Sequence, residues 1–221
     1  MILKIKPVLR SMHFLSSAYL KSGIILSQKC LETEKAIGTR NRNKLSEEHQ
    51  AFFYGAIFNF VSYLEAYINE LYVDISEGNF HNLKIDDDSL VQITDLWKIN
   101  IPRTASYRTI DKYQIMLIIG KKEKINPSTR PCQDVEILIK LRNSLIHYEP
   151  EYIESKFKNP DAQLHRFEKY LNRKIELNPF ATKLDDFYPT KIISYSCCDW
   201  ALNSTTQFID DFNNKIIKST S

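Results

Sequence analysis

Residues 47–76 read EEHQAFFYGAIFNFVSYLEAYINELYVDIS, and the spacing of their apolar positions decides the fold class. Phe53, Ile57, Phe60, Val61, Leu64, Ile68, Leu71 and Tyr72 recur with a helical period over about 28 residues. A stripe that broad can pack against several partners at once. Ser46 precedes it, and Glu47 and Glu48 occupy the first turn, where the helix dipole favours negative charge.

On the N-terminal side, residues 11–38 predict another helix, with Ser11 as its cap and Gly38 at its C-terminal stop. The basic stretch TRNRNK, residues 39–44, is the expected connecting loop. On the C-terminal side, the polar residues 78–89 form a loop, and two shorter helices follow over 89–99 and 109–119. A basic linker covers 120–131. Val135, Leu138, Leu141 and Leu145 then mark one face of a helix over 132–148. A short amphipathic helix is expected over 161–174, and a long closing helix begins after Pro189. No β alternation or internal repeat stands against this pattern. The expectation is an all-α bundle of about five to seven helices in one domain, 1–221, with a variable insertion around 78–131.

Composition agrees. The chain has 221 residues, 43% of them apolar, with twelve Phe and twelve Tyr, which is enough to bury a core. Five glycines are too few for a turn-rich β-sandwich or a glycine-lined nucleotide fold. No apolar run reaches the length of a membrane span, and GIIL near the start is too short for a signal-peptide core, so a soluble cytoplasmic protein is expected. Cys30, Cys132, Cys197 and Cys198 lack the paired spacing of zinc or disulfide frameworks and read as buried free thiols. His13, His81 and His165 have no ligand-spaced neighbours, so neither a metal nor a cofactor is expected.

Net charge is only +3, but it is unevenly spread. Residues 1–45 hold nine Lys/Arg against two Glu, residues 46–98 two Lys against ten Asp/Glu, and residues 99–130 seven Lys/Arg against two acids. Arg40, Arg42, Lys44, Lys121, Lys122, Lys124 and Arg130 could follow a phosphate backbone; as an alternative they are solvated loop charges.

The candidate chemistry lies in VEILIKLRNSLIHYEPE, residues 135–151. Asn143 and His147 are one turn apart on a helix, and the long side chain of Arg142 can lean towards the same groove. Pro150 disfavours helix at Glu149, so His147 falls at the end, where the helix C-terminus favours its cation. Arginine supplies a permanent planar charge suited to phosphate, and histidine supplies proton transfer near neutral pH. Those two functions suit RNA cleavage by in-line attack of the 2′-hydroxyl without metal.

Arg142, Asn143 and His147 resemble the R-x4-6-H motif of HEPN domains. Tyr148 adds the aromatic residue that these proteins tend to show after the histidine. FFYGAIFNFVSYLEAYINELY resembles the long early helix of that family, and YPTKIISYSCCDWALNSTTQFIDDF its closing helix. The resemblance covers about a third of the chain and leaves residues 80–130 unplaced. It implies a helical dimer and, when catalytic, a metal-independent endoribonuclease in a phage-defence or toxin–antitoxin setting. His147 would be general acid/base, Arg142 would stabilise charge, and Asn143 would orient His147 or a phosphate oxygen. Glu65 would pair with Arg142 and orient it, or that pair would merely pin two helices together. One departure is clear: in the subgroup with a modified tyrosine the pattern is H-x-Y, whereas Tyr148 follows His147 directly. The alternative within the family is a non-catalytic module docking a partner protein, a nucleotide or RNA.

RNRNKLSEEHQ contains a second formal match, Arg42, Asn43 and His49. Here the arginine is expected in the basic loop and the histidine on the following helix. No single rigid element would hold them, so both are expected at the surface, where they could touch RNA without catalysing its cleavage.

Overall fold

The computed structural model describes residues 11–39, 41–79, 82–102, 107–150 and 163–218. Among these residues it is all-α, with seven α-helices and one isolated antiparallel bridge between Leu83 and Ile217. The helices are α1 (Ser16–Lys35), α2 (Arg42–Ser76), α3 (Asp87–Lys98), α4 (Thr109–Ile119), α5 (Cys132–Ile146), α6 (Arg166–Leu171) and α7 (Tyr195–Ile216). No helix among the described residues is long and apolar enough to cross a membrane.

The apolar stripe read from residues 47–76 is the spine of the molecule. At 35 residues, α2 runs about 50 Å at the rise of an α-helix. Leu64, Ile68, Tyr72 and Ile75 of its C-terminal half pack with α3, α4 and the end of α7. Phe53, Ile57, Phe60 and Val61 of its N-terminal half pack with Cys30, α6 and the start of α7. Helices α5 and α7 also contribute to both clusters, through Val135 and Leu138 in α5 and through Phe212 and Ala201 in α7. Residues 78–131, expected as an insertion, therefore supply core: Ile93 on α3 and Tyr113, Met116 and Leu117 on α4 are buried in the first cluster. Asp134 ties α5 to α6 and α7, accepting from Tyr170 Oη at 3.1 Å and Trp200 Nε1 at 3.3 Å, with Lys174 Nζ at 2.9 Å.

Helices α3, α4 and α5 lie close to their expected spans, and the other four helices differ. The first helix begins at Ser16, not at Ser11, because its end is capped from α2. The Glu70 carboxylate accepts Leu15 N at 2.6 Å, Ser16 N at 2.8 Å, and the Ser16 hydroxyl. A single carboxylate thus satisfies donors that a helix start leaves open. Glu70→Ala should lower stability by about 0.5–2 kcal/mol, the cost of losing a cap. Thermal unfolding checks this, and Glu70→Gln, which keeps an acceptor, should lose less.

The second helix starts inside the stretch expected as loop. Asn41 is its cap, with Oδ1 accepting Asn43 N at 3.0 Å and Lys44 N at 3.2 Å. At the last boundary, the residues after Pro189 do not enter a helix directly. Phe187–Lys191 form a wide turn, and α7 waits until Tyr195. Ser194 Oγ caps it by accepting Cys197 N at 3.2 Å while donating to Glu176 O at 2.7 Å. The short helix α6 covers only part of 161–174, of which residues 161 and 162 lie outside the described residues.

Candidate functional site

Helix α5 delivers the motif, and its buried face explains the register. Val135, Leu138 and Leu141 have no exposed surface, which fixes the rotation of the helix and turns the residues between them outward. His147 is exposed and ends the helix as C-cap, its backbone N–H donating to Asn143 O at 2.8 Å.

The side chains do not converge as the spacing implies. His147 lines a cleft of about 440 Å³ together with Ser144, Glu149, Pro150, His165, Arg166 and Tyr188. Arg142 and Asn143 line a separate groove of about 360 Å³, with Glu65, Arg108, Glu136 and Lys140 among its walls. The reason is angular. Five residues on a 3.6-residue helix turn Arg142 well away from His147, and Arg142 is half-buried in its own groove. Its Nε is buried without a hydrogen bond among the described residues.

Glu65 does face the Arg142 groove, but its partner is Lys112. Lys112 Nζ lies 3.0 Å from Glu65 Oε1 and 3.1 Å from Asn69 Oδ1, and the lysine side chain is 1% exposed. The expected Glu65–Arg142 pair is thus replaced by a pair between α2 and α4 in which the lysine is buried and the carboxylate is 40% exposed. A charge so deeply buried requires both partners.

His165 and Arg166 are the site residues that sequence reasoning passed over. Residue 165 caps α6, with His165 Nδ1 accepting Phe167 N at 3.3 Å, so the proton of the neutral ring sits on Nε2. The ring stacks on Tyr188, with centroids 4.7 Å apart and planes 5° from parallel. Arg166 Nη2 donates to Ser144 Oγ at 2.6 Å, and its guanidinium lies 4.9 Å from the Phe167 ring centroid. Tyr188 Oη donates to Ser144 O at 3.1 Å. The start of α6 and the turn before α7 are thereby fixed to the last turn of α5. The available signal was the HRF triplet opening an amphipathic stretch.

The basic residues are dispersed. Lys121 pairs with Asp86 at 3.3 Å and Arg130 with Asp134 at 3.4 Å. Arg130 precedes α5, which places it about 20 Å or more from the His147 end along the helix axis. Lys124 and Lys44 are exposed, Lys122 is half-buried, and Tyr148 is half exposed beside His147. Arg40 lies outside the described residues.

The second motif match departs from its expectation at His49, while Arg42 is at the surface as expected. Arg42 and His49 both belong to α2, and His49 is fully buried. Arg42 is exposed but engaged: Nη2 donates to Pro179 O and Phe180 O, both at 3.3 Å, and the guanidinium lies 5.5 Å from the Phe180 ring centroid. Phe180 in turn covers His49, centroid to centroid 4.9 Å. Leu45, His49 and Phe53 recur every fourth residue, so His49 continues the apolar stripe inward.

Around His49 lies a second chemical cluster. All four cysteines are buried and free, as expected. Cys30 on α1 has Cys198 and His49 within hydrogen-bonding reach. The bond from Cys198 lowers the Cys30 pKa most and burial opposes it, with His49 adding to the fall, for a result of about 7. Burial pulls His49 down, but its bonds to Cys30 and Glu34 and their charges outweigh burial and raise it to about 9. Burial drives the neighbouring Cys198 thiol far the other way.

No protein-family model matches the chain, and no curated protein or solved structure matches it either.

Proposed function

We propose that this protein is a metal-independent endoribonuclease of HEPN type, acting through the cleft at the end of α5. The observation that carries the reading is the meeting of two histidines and an arginine in one cleft: His147, His165 and Arg166. Cleavage through the 2′-hydroxyl needs a base for the attacking oxygen, an acid for the leaving 5′-oxygen, and a cation for the crowded phosphorane. His147, exposed at the helix end, takes the first proton. His165, entering the step as an imidazolium whose Nδ1 has given up its 3.3 Å contact with Phe167 N, gives its Nε2 proton to the leaving oxygen and returns to the neutral ring. Arg166, anchored on Ser144, stabilises the phosphorane. This divides acid and base between two residues of one chain.

The resemblance assigns charge stabilisation to Arg142. The geometry favours a different role, because Arg142 shares a groove with Arg108 and Lys140. There the three cations hold the RNA backbone beside the cleft. Ile146 and Tyr148 flank His147 at 47% and 50% exposure. They form the apolar rim that a second copy covers in a homodimer, the assembly the resemblance implies. The setting is a cytoplasmic defence or toxin–antitoxin system.

The deciding experiment is incubation of mixed RNA with the full chain in EDTA. Cleavage should persist, leaving 2′,3′-cyclic phosphate and 5′-hydroxyl ends, and DNA should be inert for want of the 2′-hydroxyl. Products with 5′-phosphate, or activity only with added magnesium, overturn the mechanism. RNA binding without cleavage would leave the docking-module alternative.

A further inference from the structure

Cys30 and Glu34 are one turn apart on α1 and share a face, and His49 reaches the same point from α2. One ligand atom from each, the Cys30 sulfur, a Glu34 oxygen and a His49 ring nitrogen, lie within 4.8 Å of one another. We infer that these three side chains form a structural zinc site that clamps α1 to α2.

Three observations support the assignment. The donor set is a thiolate, an imidazole and a carboxylate, which suits zinc and does not suit calcium or magnesium. The spacing fits: two ligands about 2.0–2.2 Å from a tetrahedral ion stand a little over 3 Å apart, and His49 Nε2 is already 2.9 Å from Glu34 Oε1. The carboxylate is held from outside, because the Tyr195 backbone N–H donates to the same Oε1 at 2.7 Å. Outer partners of this kind orient the ligands of metal sites.

Cys198 on α7 lies beside Cys30 but is not one of the three clustered ligand residues. Cys30 and His49 are fully buried and Phe180 covers the imidazole, so the site is closed, as structural zinc sites are. It stands on α1 and α2, apart from the α5 motif, and is independent of the ribonuclease reading.

The test uses the full chain purified without chelator. Elemental analysis should find about one zinc ion per chain, and cobalt loading should give a thiolate-to-cobalt charge-transfer band. Cys30→Ser should abolish that band, and His49→Gln should lose the bound zinc, while His147→Ala keeps both. Glu34→Gln alters the partly exposed edge of the site and threatens folding least. It should weaken zinc binding by more than about tenfold, at least the loss that removing an outer-shell partner produces. A folded wild-type chain that takes up neither zinc nor cobalt overturns the site. So does unchanged zinc affinity in Glu34→Gln, which decides the matter even if Cys30→Ser does not fold.

Discussion

His147→Ala should lower kcat/KM for RNA cleavage by about 10²–10⁴-fold, the usual contribution of a positioned general acid or base. Helicity and melting should be unchanged, because the side chain is exposed and its helix contact is made by the backbone. His165 requires a different replacement, since Nδ1 also caps α6. His165→Asn keeps a capping acceptor and removes the proton, so it should show a loss of similar size with the fold intact. Because the two act as a unit, the double variant should be little worse than either single one. Mixing His147→Ala with His165→Asn should restore nothing if acid and base must share a chain. Restoration on mixing would mean that the cleft is completed by a second copy. Wild-type rates in His165→Asn would remove His165 from the mechanism.

The largest stability change should come from Phe60→Ala, at about 3–5 kcal/mol for a large side chain deleted from a closed core. Phe60 is fully buried in α2 and lies against α1 at Gly23. A Cβ added at Gly23 would stand 2.6 Å from Phe60 Cε1 and 2.7 Å from Cδ1, closer than packed carbons allow. Gly23→Ala should therefore destabilise by about 1–3 kcal/mol through overpacking, although alanine is the better helix former. The two sites touch, so their effects should not add. In the Phe60→Ala background, Gly23→Ala should become neutral or stabilising, which denaturant unfolding of the four proteins would show. Additive losses would mean that α1 and α2 do not meet at this point.

The fold was legible wherever one segment carries its own instructions. The stripe from Phe53 to Tyr72 demands a long helix whatever surrounds it, and α3 is started by its own Asp86, whose carboxylate accepts Ser89 N at 3.0 Å. The start of α1 was not legible, because its cap is Glu70, 54 residues away. No local pattern announces a cap borrowed from another helix. The site divides in the same way. The exposed position of His147 follows from Pro150 and the Leu138–Leu141 face. The separation of Arg142 depends on which grooves the neighbouring helices leave open, and that is a tertiary fact. The partnership of Lys112 with Glu65 joins residues 47 apart. His49 was misread despite an available signal, since counting back by fours from Phe53 places it on the buried stripe. Its immediate neighbours Glu48 and Gln50 are polar, whereas Leu45 on the same stripe points in.

The passage of α2 through both apolar clusters bears on how this chain could change. A protein assembled from separable pieces can exchange, duplicate or lose one of them and leave the rest standing. Here the longest helix is common property: Phe60 faces one cluster and Leu64, a single turn later, the other. Inserting one residue between them would rotate everything beyond by about 100°, so one of the two clusters would lose its register with α2. Variation in length is therefore confined to the connections between helices.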